Sequence, residues 1–101
     1  LPAPSIYWGS AKEDERGSPR EPNLFAKYPP EIPLKAQFRI KEWELLIQGL
    51  PGSPPKGPGS QLNQAALSAL RMARPGTRVT LVLKVVDPTG LEFFKNATFT
   101  I

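Results

Sequence analysis

The 101-residue sequence contains no cysteine and no histidine. Their absence excludes a disulfide scaffold, thiol catalysis, Cys/His metal sites and every triad that uses either residue. It leaves the redox compartment open, because a chain without thiols is safe in oxidising and reducing surroundings alike. No apolar run reaches the ~20 residues that a membrane-spanning helix needs, and no charged-then-apolar leader is present. Acidic residues are scarce in one region only. Residues 1–55 carry seven basic and seven acidic side chains. Residues 56–101 carry six basic ones but only Asp87 and Glu92 as acids. The net charge of +4 therefore sits in the C-terminal half, which suits an acidic protein face or an anionic polymer.

What is abundant is proline (13) and glycine (8). Together they favour turns, extended arms and short strands over long helices. A length of 101 residues suffices for one small domain and is too short for two full cores. The chain opens at Leu1 rather than Met, so we expect a piece of a longer or processed protein.

Residues 1–33 read as an irregular lead-in. "LPAPSIYWGS" holds one apolar cluster, Ile6, Tyr7 and Trp8, between turn formers. "AKEDERGSPREP" is charged and broken by Gly17, Pro19 and Pro22, so a solvated loop is expected. "NLFAKYPPEIP" reads as an extended arm, since a residue that precedes proline is pushed toward β or polyproline conformations. Residues 34–101 read as a single β-rich domain.

Leu34, Ala36, Phe38 and Ile40 alternate with polar residues, and the alternation then changes phase to Trp43, Leu45 and Ile47. One extra residue near Lys41 and Glu42, a β-bulge, restores a common apolar face. Residues 49–59, "GLPGSPPKGPG", contain too many prolines and glycines for a regular element and read as an exposed, proline-stiffened loop with Lys56 at its tip. Residues 60–74 have helical spacing at Leu62, Ala66, Leu67 and Leu70, with Ser60 or Asn63 as cap. Arg71 and Arg74 in the last turn suit the helix dipole, and Pro75 and Gly76 end the helix.

A strand follows over residues 77–86, with Val79, Leu81, Leu83 and Val85 on one face. "DPTG" is a turn with a mechanism: Asp87 accepts from the backbone, Pro88 presets φ, and Gly90 takes a conformation other residues resist. Residues 91–101 return as a strand with Ala97, Phe99 and Ile101 alternating. The fold class expected is mainly β with one α-helix, a small α+β or sandwich-like domain that closes on a C-terminal hairpin.

No catalytic constellation stands out. Glu42 and Glu44 share a strand face but alternate with Trp43 and Leu45, as a solvated face does. "RPGTR" has the wrong polarity for a phosphate loop, since its glycine follows a helix and precedes a strand. Lys84, Phe93, Phe94 and Lys95 imitate a basic-aromatic nucleic-acid surface, but a core role for at least one phenylalanine explains them better. The candidate partner contacts are the stiffened loop, Pro54, Pro55, Lys56 and Pro58, with Arg71 and Arg74 on the helix; a stiff loop loses little entropy on binding. No catalytic residue, metal or cofactor is expected.

The order of these motifs resembles the C-terminal periplasmic domain of the gliding-motility and type IX secretion protein family GldM, called PorM in non-gliding relatives. The resemblance runs through "YWGSAK", "AQFRIKEWEL", "SQLNQAALSALRMARPGTRV", "DPTG" and the final "FTI". The sequence departs from the family in its proline-rich loop and in having "DPTG" where the family has "PDG". The resemblance implies a periplasmic domain whose parent is anchored in the inner membrane and forms a homodimer. It implies a mechanical coupler that meets the outer-membrane-associated ring proteins and has no active site. Against it stand two alternatives, an immunoglobulin-like adhesion or glycan-binding module with exposed Tyr7 and Trp8, and a small nucleic-acid binder.

Overall fold

A computed structural model describes all residues, 1–101. The protein is mostly β with a single helix and has two antiparallel sheets. The larger sheet has strand order β5-β4-β6-β7, built from β4 (Arg39–Ile47), β5 (Lys56–Pro58), β6 (Arg78–Val86) and β7 (Glu92–Thr100). The smaller has order β2-β1-β3, from β1 (Ser5–Trp8), β2 (Ala11–Lys12) and β3 (Leu24–Lys27). One helix, α1 (Gln64–Met72), lies between β5 and β6 in the chain.

The long strands follow their sequence pattern. Ile40 pairs with Val85 and Glu42 with Lys84, so Lys41 is the extra residue of a bulge. That bulge puts Ile40, Trp43, Leu45 and Ile47 on one buried face. Val79, Leu81, Leu83 and Val85 are fully buried opposite them, and Ala97, Phe99 and Ile101 complete the layer. The hairpin turn is tied as expected. The Asp87 carboxylate accepts from the Thr89 and Leu91 amides at 2.8 and 3.0 Å, and Gly90 sits at φ +91°. Gly76, at φ +89°, turns the chain from the helix into β6. The helix is capped by Asn63, whose side chain accepts from the Ala66 amide, and it turns Ala66 and Leu70 inward.

Four expectations need correction. Residues 1–33 are not an irregular arm: they form the smaller sheet, and Ile6, Trp8, Leu24 and Ala26 join the same buried cluster as the larger sheet. Their prolines stand outside the strands, and four-residue strands are too short to display an alternation. The strand expected from Leu34 begins only at Arg39, and Leu34 is exposed. The loop 49–59 is not devoid of regular structure, because Lys56–Pro58 pairs with β4 as β5. Lys56 is therefore no loop tip. The helix is shorter than 60–74: it stops at Met72, so Arg71 lies in its last turn and Arg74 beyond it. Pro75 disfavours the α region at Arg74, so the helix cannot run on to residue 74, and Ala73 is already extended at ψ 145°.

Each sheet buries one tryptophan with its indole N–H satisfied, as a buried indole requires. Trp8 donates to the Glu21 carbonyl at 2.7 Å and meets Phe99 edge-on. Trp43 donates to the Gln61 carbonyl at 2.9 Å. The sheets are also stitched by backbone: the Leu24 amide donates to the Ser60 carbonyl and the Leu62 amide to Pro22, both at 2.8 Å.

Candidate partner interface

The inward faces of both sheets are consumed by the core, which leaves their outer faces, their edges, the loops and the helix to a partner, and the largest open depression lies on the outer face of the larger sheet. Strand alternation decides what the outer face carries. After the bulge, Glu42, Glu44 and Leu46 point outward from β4, while Val82 and Lys84 do so from β6 and Phe94 from β7. All of these except Leu46, with Lys56 and Pro58 from β5, line an open basin of about 510 Å³. Phe94 is 68% exposed, which is unusual for a strand phenylalanine in a small domain.

A charge ladder runs from the basin's edge, where Glu42 and Lys84 line it, to Glu92 and Lys41 beside it. Lys41 Nζ lies 3.0 Å from Glu92, and Lys84 Nζ lies 3.3 Å from Glu92 and 3.9 Å from Glu42. The hydrogen bond from Lys41, then that from Lys84, holds the Glu92 carboxyl below its ordinary value. Lys84 also rests over the Phe94 ring, 5.8 Å from its centre. Lys56 makes no ion pair, although it stands opposite Glu44 in the β4–β5 register. A partner that brings a carboxylate to Lys56 would meet a cation with no competing acid bound to it.

The contacts expected from sequence divide into three groups. Lys56 and Pro58 line the basin. Pro54 and Pro55 line a separate 160 Å³ cleft with Leu46 and Leu50. Arg71 and Arg74 are exposed near the end of the helix, and the Arg71 guanidinium donates to Ser68 on the same helix. No hydrogen bond or ion pair joins them to the loop. Of the turn residues, Gly76 and Gly90 take positive φ and Asp87 fastens the hairpin. Pro88 is exposed at the turn. The hydrogen bond from the Thr89 hydroxyl, 2.7 Å long and first among several, holds the Asp87 carboxyl below its ordinary value.

Glu42 and Glu44 were legible as a solvated face from alternation alone, whereas the sequence assigned a core role to at least one of Phe93 and Phe94 without saying which. Their convergence with Lys56 was not legible, because it depends on β5 pairing with β4. The tryptophan of the expected glycan platform is buried, with 1% of its surface exposed. Tyr7 is half-buried beneath the Lys27 ammonium, 4.9 Å from the ring centre. No group of three or more His, Cys, Asp or Glu side chains converges in the manner of a metal site. No helix is long and apolar enough to cross a membrane. The chain matches no protein-family model, no curated protein and no solved structure.

Proposed function

We propose that this chain is a non-catalytic, periplasmic interaction domain of the type IX secretion and gliding motor. On this reading its parent is anchored in the inner membrane and homodimeric, and the domain couples the ion-driven motor to the outer-membrane-associated ring. One observation carries the reading. The motif order that resembles the GldM family runs along consecutive elements of a domain whose outer face offers Phe94 and the unpaired Lys56 to a partner. A load-bearing coupler needs cooperative sheets and a mixed polar-aromatic docking face, and it needs no acid–base pair.

The alternatives fare less well on particular residues. A glycan platform at Tyr7 and Trp8 loses its larger ring to the core. The basic-aromatic set Lys84, Phe93, Phe94 and Lys95 has both its cations engaged, Lys84 by Glu92 and Glu42 and Lys95 at 4.0 Å from Glu13. The test is binding of the purified chain to purified ring proteins by calorimetry at two salt concentrations. Saturable binding that weakens with salt and is lost in Lys56→Glu supports the reading. Absence of binding, together with a parent gene lacking an N-terminal membrane helix and type IX neighbours, sinks it.

A further inference from the structure

The two edges of the larger sheet are treated differently. On β5 the edge is three residues long and blunted by Pro54, Pro55 and Pro58. Prolines on an edge strand remove donors and discourage pairing with another chain. β7 carries no proline along its nine residues.

Hydrogen bonding shows which β7 groups face outward. The Ile101 amide donates to the Thr77 carbonyl, and the Asp87 amide to the Leu91 carbonyl, so odd-numbered residues face β6. Even-numbered residues face away. Of these, the Thr98 carbonyl accepts from Asp14, and Thr100 bonds Glu15 and Gly17. Residues 14–17 therefore already lie along the far half of this edge. The near half is open: the N–H and C=O of Glu92, Phe94 and Asn96 have no partner, and all three residues are exposed. The open stretch is bounded by the hairpin turn on one side and Asp14 on the other.

We propose that this open half-edge pairs with the same half-edge of a second copy, antiparallel, about a two-fold axis at Phe94. In that register Phe94 faces its own counterpart, and Glu92 faces Asn96 of the other copy. Each of these pairs exchanges both backbone bonds. Phe93 faces Lys95, a ring against a cation. No like charges oppose one another, and an aromatic pair stands at the centre. The footprint ends on both sides where the open edge ends, because each copy offers only the stretch between its own turn and its own Asp14. The interface is isologous, so it closes at two copies, and the larger sheets become continuous across it. A strand this short makes the association weak and concentration-dependent. The contact shares Phe94 with the docking basin, but Lys56 belongs to the basin alone and Asn96 to the edge alone, so Lys56→Glu and Asn96→Pro separate failure of docking from failure of dimerisation.

The test is sedimentation of the 101-residue chain from micromolar to millimolar concentration, with amide exchange followed by NMR. A reversible monomer–dimer equilibrium is expected, with the Phe94 and Asn96 amides slowing as dimer forms. Asn96→Pro removes an outward donor, and an edge strand tolerates proline there; dimer should vanish while the chain stays folded by circular dichroism, so that a folded Asn96→Pro chain that still dimerises overturns the proposal. Phe94→Lys and Phe94→Glu should each be monomeric, and an equimolar mixture of the two should restore dimer, which a merely structural role for Phe94 would not do. The proposal is overturned if the chain stays monomeric throughout, if the mixture does not dimerise, or if those amides gain protection only when a different protein or peptide is added.

Discussion

The two buried tryptophans make an instructive pair. Each donates its indole N–H to a carbonyl, and each is covered by a glycine so close that a Cβ would collide with the ring. At Gly57 that Cβ would lie 2.9 Å from Trp43; at Gly17 it would lie 2.2 Å from Trp8. Gly57 is the cross-strand partner of Trp43, so its approach is part of a ladder. Gly17 belongs to no strand, and it is held by its amide bond to Thr100 of the other sheet. The larger sheet seals its tryptophan with its own neighbouring strand. The smaller one does so only because residues 13–17 cross to the edge of β7. The small sheet therefore depends on the large one for its closure, and a break at Gly17 should be felt in both.

The largest effect is expected from Gly17→Val. A branched side chain has no space against a ring that is itself buried, and the chain should lose folding at ambient temperature, read by circular dichroism and near-ultraviolet fluorescence. If residues 34–101 kept protected amides while residues 1–33 frayed, the shared core would be refuted. Trp8→Ala and Trp43→Ala should each cost about 3–5 kcal/mol in urea titration, the range for truncating a buried aromatic. Equal costs in a single transition would mean that both sheets melt together.

Gly57→Ala should cost less, about 1–3 kcal/mol by overpacking, because the Trp43 ring edge needs to yield only slightly. Gly76→Val belongs in the same range, about 1–3 kcal/mol, for a different reason. Its Cβ meets nothing within 4 Å, so the penalty is the left-handed backbone alone. Loss of partner binding by a fully stable Gly76→Val chain would overturn the structural role of that turn.

The smallest effect is a shallow acid dependence. Asp87 and Glu92 both have folded-state values below the ordinary carboxylate range. Their contribution is thus present above the unfolded-state values of about 4 and is lost as pH falls through the folded ones. Both carboxylates are on the surface, so the slope should be small, and for Glu92 it should flatten in salt. Asp87→Asn and Glu92→Gln should each reduce the slope of melting temperature against pH below about 4. A steeper slope in either variant would contradict the assigned causes.

Much of the larger sheet was legible because its strands are long. Nine residues of alternation in β6 identify a face, and the phase shift at Lys41 marks a bulge that the register contains. "DPTG" named its own turn, since Asp87, Pro88 and Gly90 act within a few residues of one another. The smaller sheet was illegible for the opposite reason. β1 and β3 have four residues each, are separated by a charged loop and stand among prolines, so no local pattern separates them from an extended arm. The interface was half legible. Alternation placed the glutamates outward, but choosing Phe94 over Phe93 needed the register of β7, and bringing Lys56 beside them required a long-range pairing through a loop rich in proline. Arg71 in the last turn of the helix and Arg74 just beyond it have no hydrogen bond or ion pair to that loop.

By itself the sequence determined the element types wherever the governing forces are local: apolar alternation, helix capping at Asn63, and backbone restriction at proline and glycine. It also settled what chemistry is missing, since no fold can supply a thiol or an imidazole. Only the tertiary structure decided that residues 1–33 belong to the core, that Gly17 lies on Trp8, and that half of one sheet edge is covered while half is open. Those outcomes depend on contacts between residues far apart in the chain, where no single stretch carries the energy that selects them.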